Sequence, residues 1–559
     1  MNRLAHTALL ALAAATAAQQ DDTLPDGELL FSAMQTELQR SLGLQMEDLE
    51  SPYFVRYAVN DSVGYSVSAA WGTLGSSGRN RSRSLAVRVR IGSHELDNTN
   101  FSGGAGGFSF GGGSGLPVDD DLLALRHALW TATDASYKSA VQTLTSKRAY
   151  MKDKTIEDRP ADFTPAPVVT ELAPLAQLAF DRAGWEQRCQ ALSGRFLAHP
   201  SIQDSSVSLS VSASNRFYLD SDGIRLRTPD VSATLRISAS TQASDGYRLR
   251  DGFEYFALAA AELPPVETVL ADIDALVQRL QDVGAAARID GYTGPVLFTG
   301  TAAPAVLRAM LAGGLASNPD VIGRGRAADT LEKKLGQRIL PRSFVAFDDP
   351  GIGRLGDVAL AGHYAFDDEG VAARRVGLVE GGKLLATVLG RSPTRRQSGS
   401  TGHGRGRGSF ATPAATIGNL FVEDTAGVPE SELLDELRSA ANDEGLEHGL
   451  LVESFGDTRR LSSGSGVGQV RLPDPLVVYK VSVADGSKEL LQLLQFTAAD
   501  AKTLRRVLVA GDRPYVHNVT GPGGSAVVAP SLLFEELELT KIEQELDKLP
   551  LLQGPLQRE

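Results

Sequence analysis

The sequence predicts an α+β protein, with N-terminal and middle helix-plus-sheet regions followed by a mostly-β C-terminal domain. Three patterns carry that expectation. Apolar residues recur at helical spacing in 27–44, 119–147 and 264–283. Between these helices the period falls to two: Leu85, Val87, Val89 and Ile91 alternate with Ala86, Arg88 and Arg90. Beyond 290, short strand-type runs and turn signals outnumber helices. A chain of 559 residues exceeds what one core needs. The expected units are a signal peptide at 1–18, an N-terminal α+β domain at 19–165, a middle α+β domain at 166–290, a strand-rich C-terminal domain at 291–545 and a tail at 546–559.

In chain order, Arg3, the apolar run Ala8 to Ala15 and the small residues Ala15-Thr16-Ala17 have the layout of a secretory signal cut near Ala18 or Gln19. No later run reaches the roughly 18 apolar residues of a membrane span. The product is expected in the periplasm or outside the cell. A net charge of −13 argues against general nucleic-acid binding. Cys189 is the single cysteine, in a helical context, and reads as a buried thiol.

Helix 27–44 puts Leu30, Met34, Leu38 and Leu42 on one stripe, and strands follow at 53–70 and 85–91. The glycine-rich run Ser102 to Gly115 is a surface loop, since the Gly-Lys-Ser/Thr of a phosphate cradle is missing. Asp119 to Asp121 start the next helix at its positive end. After the proline-rich Arg159 to Val168 come a helix at 181–192, strands at 207–213, 216–219, 223–227 and 231–238 with a turn at Asp222-Gly223, and the helix 264–283. Pro295 to Phe298 is a strand and Ala302 to Leu311 a helix, ended by Gly313-Gly314. Hairpins are expected at Gly381-Gly382 and Asp485-Gly486, and helices at 430–444 and 534–548.

Several stretches match a known pattern: PYFVRY at 52–57, SRSLAVRVRIGSHELDNTNF at 82–101, LGQRILP at 335–341, DDEGVAARR at 367–375, STGHGRG at 400–406 and PLVVYKV at 475–481. Together with the strand and helix of Gly294 to Leu315, they resemble the TldD/PmbA family over roughly residues 27–545, which implies a C-terminal domain of TldD/PmbA type. The resemblance also implies a paired-subunit, zinc-dependent peptidase acting on extended or unfolded peptides. In its zinc-bearing subunit the helix carries His-Glu-x-x-x-His, and those places fall here on Ala309, Met310 and Gly314, none of which supplies a zinc donor. That subunit's downstream cysteine has no counterpart, because Cys189 lies upstream.

The other constellations are weaker. Seven histidines follow the signal, and no two stand four or five residues apart. His94-Glu95 lacks a second ligand, and Gly464 to Gly468 is not a nucleophile elbow. No catalytic residue, metal ligand or cofactor is therefore assigned. The substrate-binding candidates are His403 and Arg405, in a glycine-rich stretch that shares its surroundings with Arg391, Arg395, Arg396 and Arg407. Glycine lets backbone approach a ligand, and arginine pairs with a carboxylate end or phosphate; a solvated Arg/Gly loop is the competing reading. The expected function is the zinc-less partner or scaffold subunit of a secreted peptidase, working on a peptide or unfolded protein with a zinc-bearing TldD-type subunit or through self-association. Two alternatives stand: an active metallopeptidase with a site remodelled around His403 or His363, and a non-enzymatic peptide-binding protein.

Overall fold

A computed structural model describes residues 27–543, apart from 45–49, 104–112, 155–157, 244–245, 324–329, 407, 409–410, 457–468 and 501. The signal peptide, most of the glycine-rich loop, Gly464 to Gly468, Arg407 and the tail lie outside the described residues.

The first half is built on one seven-stranded sheet. Its strands are β1 (Pro52–Ala70), β2 (Thr73–Ile91), β3 (Gly113–Gly115), β4 (Thr170–Leu172), β5 (Asp204–Asp220), β6 (Arg225–Gln242) and β7 (Arg248–Ala257). The order is β3-β2-β1-β5-β6-β4, with β7 also on β6. The two units expected at 19–165 and 166–290 thus share a sheet, because β1 pairs antiparallel with β5 from Arg56↔Asp220 to Ala69↔Val207. Alternation explains how. Val55, Tyr57, Val59, Val207, Leu209 and Val211 are buried under four helices, α1 (Glu28–Leu42), α2 (Leu122–Asp153), α3 (Arg182–Gly194) and α4 (Val266–Ala285). Helix starts are set by side chains: Asp121 accepts from the Ala124 N–H at 2.7 Å and Asp181 from the Gly184 N–H at 3.1 Å. Cys189 is buried in the α3 core, and burial pushes its thiol up to about 11.

The other sheet face is polar. Ser62, Ser82, Ser84, Ser212, Ser214 and Ser232 lie on it, and Ser62 with Ser82 and Ser212 with Ser232 stand 3.0 Å apart, hydroxyl to hydroxyl. The first half of β2, Thr73 to Ser84, is Gly- and Ser-rich and gave no strand signal, yet it pairs with β1 along its length.

The second half holds an eleven-stranded sheet that includes β8 (Gly291–Phe298) and β9 (Phe344–Asp348). Its centre is the strand Ser525–Lys541, flanked by Asn419–Asp424 in parallel and by β8 antiparallel. The helix expected over 534–548 is therefore incorrect as far as the described residues go. Phe534, Leu537 and Leu539 are buried, and a register shift between Phe534 and Leu537 absorbs the Glu535-Glu536 pair that broke the alternation. Helix α5 (Ala302–Met310) packs on this strand. Its end also differs from expectation. Leu311 caps it, and Gly313 and Gly314 continue in a 3-10 turn, Ala312–Leu315, with neither glycine at positive φ. Among the described residues no helix is long and apolar enough to cross a membrane.

Candidate functional site

Two places matter, the α5 helix and the junction where the first sheet meets residues 365–406. At α5, Ala309 and Met310 are 2% and 1% exposed and belong, with Leu307, Leu311 and Leu315, to the C-terminal apolar core. The one charged residue of the helix, Arg308, donates from Nη1 to Ser525 Oγ at 2.9 Å. Facing it on the strand Val507–Val519 is His517, buried, with no hydrogen-bond partner at Nε2. Burial first, then Arg308, push its imidazole down to about 4.

The junction is built from the opposite chemistry. His403 is fully buried, its Nε2 2.9 Å from Asp348 Oδ1 and its Nδ1 2.9 Å from the Thr401 carbonyl. Asp348 is also buried and accepts from the Gly418 N–H at 3.0 Å. His403 therefore couples β9 to the 400–406 stretch, and a substrate has no open path to its ring. Arg405, two residues on, faces another way: its guanidinium lies 4.1 Å over the Tyr364 ring and its Nε is 3.6 Å from Asp368 Oδ1.

The acidic run Asp367-Asp368-Glu369 ties the junction together. Asp367 accepts from the N–H groups of Glu369, Val371 and Gly404 at 2.9, 2.9 and 2.8 Å. Burial, then the neighbouring Glu369, raise its carboxyl to about 7 despite those donors. Asp368 moves the other way. Burial would raise it, but Arg216 and Arg405 outweigh burial and hold it below the usual range. Glu369 accepts from the Arg391 N–H, and Gly390 and Gly404 leave the space its carboxylate fills, since a Cβ at either would meet Glu369 Oε2 at 2.6 or 2.3 Å.

Arg391 is fully buried and reaches Asp222 at 2.6 Å and Asp220 at 3.6 Å in the β5–β6 turn, while Nε donates to the Thr164 carbonyl at 2.9 Å. Its guanidinium lies 4.0 Å over Phe163. Of the arginines grouped by sequence, then, Arg391 is a structural clamp and Arg395 and Arg396 are exposed. Sequence reasoning missed Asp348, Asp220 and Arg391 as partners. The signal for the acidic run was present in the DDEG of 367–370, whereas Arg391 lies 22 residues from Glu369, Gly404 37 from Asp367, and Asp348 55 from His403.

Residues 291–541 match the family model of the PmbA/TldA metallopeptidase C-terminal domain. Residues 291–541 thus form a C-terminal domain of TldD/PmbA type. A curated relative, a metalloprotease of Archaeoglobus fulgidus, is 29% identical over 113 residues, which is 20% of this chain and 25% of that protein. The chain thus spans about a quarter of the curated relative it matches. Solved structures share the fold at low identity. A proposed modulator of a DNA gyrase from Thermotoga maritima aligns with TM-score 0.60 and 12% identity over 92% of this chain and all (100%) of that one. TldE from Thermococcus kodakarensis aligns with TM-score 0.58 and 14% identity over 91% of this chain and 100% of its own.

For a family described by its metallopeptidase domain, the donor set decides whether zinc fits. Zinc takes imidazole, thiolate or carboxylate ligands, usually four with water. Ala309, Met310 and Gly314 offer none, and among the described residues no three His, Cys, Asp or Glu side chains are grouped as a metal ion needs. His363 is exposed, with Nδ1 2.8 Å from the Pro350 carbonyl, and it does not join His403 in a shared site. Among the described residues, the side chains at these places do not fit the ion.

Proposed function

We propose that this TldD/PmbA-family chain is the zinc-less partner or scaffold subunit of a secreted peptidase that acts on extended or unfolded peptides. The observation that carries the reading is α5. By the sequence resemblance the helix corresponds to the one that carries the ligands in the family's zinc-bearing subunit, and its side chains Ala309 and Met310 are apolar and packed into the core. A subunit of that build shapes and holds rather than hydrolyses, and a strand-rich wall suits an extended chain because backbone pairing is indifferent to sequence. Secretion is supported by the order of Arg3, the apolar run and Ala15-Thr16-Ala17.

The test is elemental analysis of the purified chain together with cleavage of an unfolded protein, alone and with a zinc-bearing TldD-type subunit. The expected result is no stoichiometric zinc, no cleavage alone, and altered cleavage when the two are mixed. About one tightly held zinc per chain would overturn the reading. Expression in a Gram-negative host checks the location: a periplasmic product starting near Ala18 or Gln19 supports it, and a cytoplasmic product with Met1 intact refutes it.

A further inference from the structure

Although the chain carries a net charge of −13, its segments 331–342, 380–385 and 394–397 hold seven cations against two acids, Glu332 and Glu380. Hydrogen bonds bring the three segments together. Gly336 and Ile339 donate their N–H groups to the Leu384 and Gly382 carbonyls at 2.8 Å each, and Glu332 accepts from the Thr394 hydroxyl. Gly382, at φ +73°, lies so close to the first segment that a Cβ there would meet the Leu340 carbonyl at 2.3 Å. Six of the cations are exposed: Lys333, Arg338, Arg342, Lys383, Arg395 and Arg396. Arg338 and Lys383 are bridge partners, so two like charges stand directly opposite each other, which costs stability unless something offsets it.

The acids at hand do not balance this set. Glu332 is turned to Thr394 and to Gln397, whose Nε2 stands 3.5 Å away. Glu380 faces Lys383 across the Gly381-Gly382 turn, and Asp424, on the strand paired with β9, accepts from the Ala426 N–H at 3.0 Å. Among the described residues none of the six exposed cations forms an ion pair. Other surface arginines of the molecule do: Arg195 reaches Asp274 and Arg506 reaches Glu535, both at 2.7 Å. Charged residues also guard a sheet edge against pairing with another chain, which accounts for Arg338 and Lys383. It does not account for Lys333, in the 3-10 turn Leu331–Lys334, or for Arg395 and Arg396, which belong to no strand.

We propose that this basic patch docks the protein on a phospholipid bilayer that carries anionic headgroups. Each Lys or Arg brought close to such a surface strengthens binding about fivefold, and the acidic remainder of the chain is screened beyond about 10 Å. Leu385, two residues past Lys383, is 53% exposed and supplies the apolar contact that accompanies a basic rim at an interface. The six cations are spread over three segments and share no acceptor among the described residues, which suits a diffuse anionic surface better than a single peptide carboxylate. An acidic polypeptide is the rival occupant, and the test separates the two.

The full purified chain is sedimented with vesicles of phosphatidylcholine alone and of phosphatidylcholine and phosphatidylglycerol in equal parts. The expected result is partitioning about tenfold or more stronger onto the anionic vesicles, weakening as salt is raised. Arg395→Glu with Arg396→Glu, and separately Lys333→Glu with Lys383→Glu, should each lower that partitioning about tenfold or more. Lys152→Glu, in the last turn of α2, should leave it unchanged. Leu385→Ser should weaken it a few-fold without altering its salt dependence. Equal partitioning onto neutral and anionic vesicles overturns the proposal, as does an unchanged value in both double variants. Melting temperatures identify a double variant that has lost its fold, and the other one then decides. Polyglutamate is the probe for the rival: if it binds the parent chain but not the double variants, and the anionic vesicles do not bind, the patch belongs to an acidic polypeptide and the membrane assignment fails.

Discussion

His517 beneath α5 and Asp367 at the junction are both buried, but they handle protons in opposite ways. His517 is a base kept neutral, pushed down to about 4 by burial and then by Arg308, and Asp367 is an acid raised to about 7 by burial and then by Glu369. The α5 region holds almost no charge, one arginine and one neutral imidazole against an apolar core. The junction kept its charges and gave nearly every one a partner: Asp348 with His403, Arg391 with Asp220 and Asp222, and Asp367 with three N–H groups. A helix with a single charged residue can thus serve as a good core element. A loop cluster with little apolar surface has only its polar partners to hold it.

The comparison breaks most readily at Asp348. Asp348→Ala leaves the buried His403 Nε2 and the Gly418 N–H without their acceptor, so stability should fall by about 3–5 kcal/mol. A denaturation midpoint within error of the parent would mean that the pair is not under tension from burial. Met310→Glu asks the same question of α5. A carboxyl placed at a 1% exposed apolar position should cost about 3 kcal/mol. Because such a carboxyl has a raised pKa, the loss should deepen as pH rises, and a loss that shrinks with rising pH would contradict the apolar description.

The proton difference itself gives a finer test. The raised Asp367 binds an extra proton in the folded state, so its contribution is present below about pH 4 and is lost as pH rises to about 7. The lowered His517 takes up its proton only on unfolding, so its contribution is present above about pH 6.5 and is lost as pH falls to about 4. Each contributes up to about 1.4 kcal/mol per pH unit, with opposite sign, between roughly pH 4 and 6.5. Relative to the parent, Asp367→Asn should therefore make stability rise more steeply with pH in that window, and His517→Phe should make it rise less steeply. Thermal melts of the parent and both variants across the window check this, and slope changes of the same sign in the two would refute it. The smallest effect expected is at Gly399, whose φ is +82° and where a Cβ would meet nothing within 4 Å. Gly399→Ala should cost about 1 kcal/mol and lower the melting temperature accordingly.

What could be read from the sequence was whatever repeats locally. The amphipathic stripes of α1, α2 and α4 and the alternation of β1 and β5 give the α+β class directly. What could not be read depended on pairing at a distance. No local rule announces that Thr73 to Ser84 will be held straight by β1, or that Glu535-Glu536 is a bulge in a strand rather than a turn of helix. His403 and Arg405 were visible as unusual residues in a glycine-rich stretch. Whether His403 faces a ligand or Asp348 is set by residues 55 positions upstream, which the stretch does not encode.

The position of Ser525–Lys541 bears on how the chain comes to be folded at all. That strand sits between Asn419–Asp424 and β8 and is also the sheet partner of Leu494–Phe496 and Val507–Val519, so without it the second sheet is two unjoined groups of strands and two unpaired ones. Loop-closure entropy sets in before such distant pairing is rewarded, and the ribosome supplies this partner after almost all the others. The second sheet is consequently a late folder whose strand edges stay open to chaperones and proteases until Ser525–Lys541 has been made.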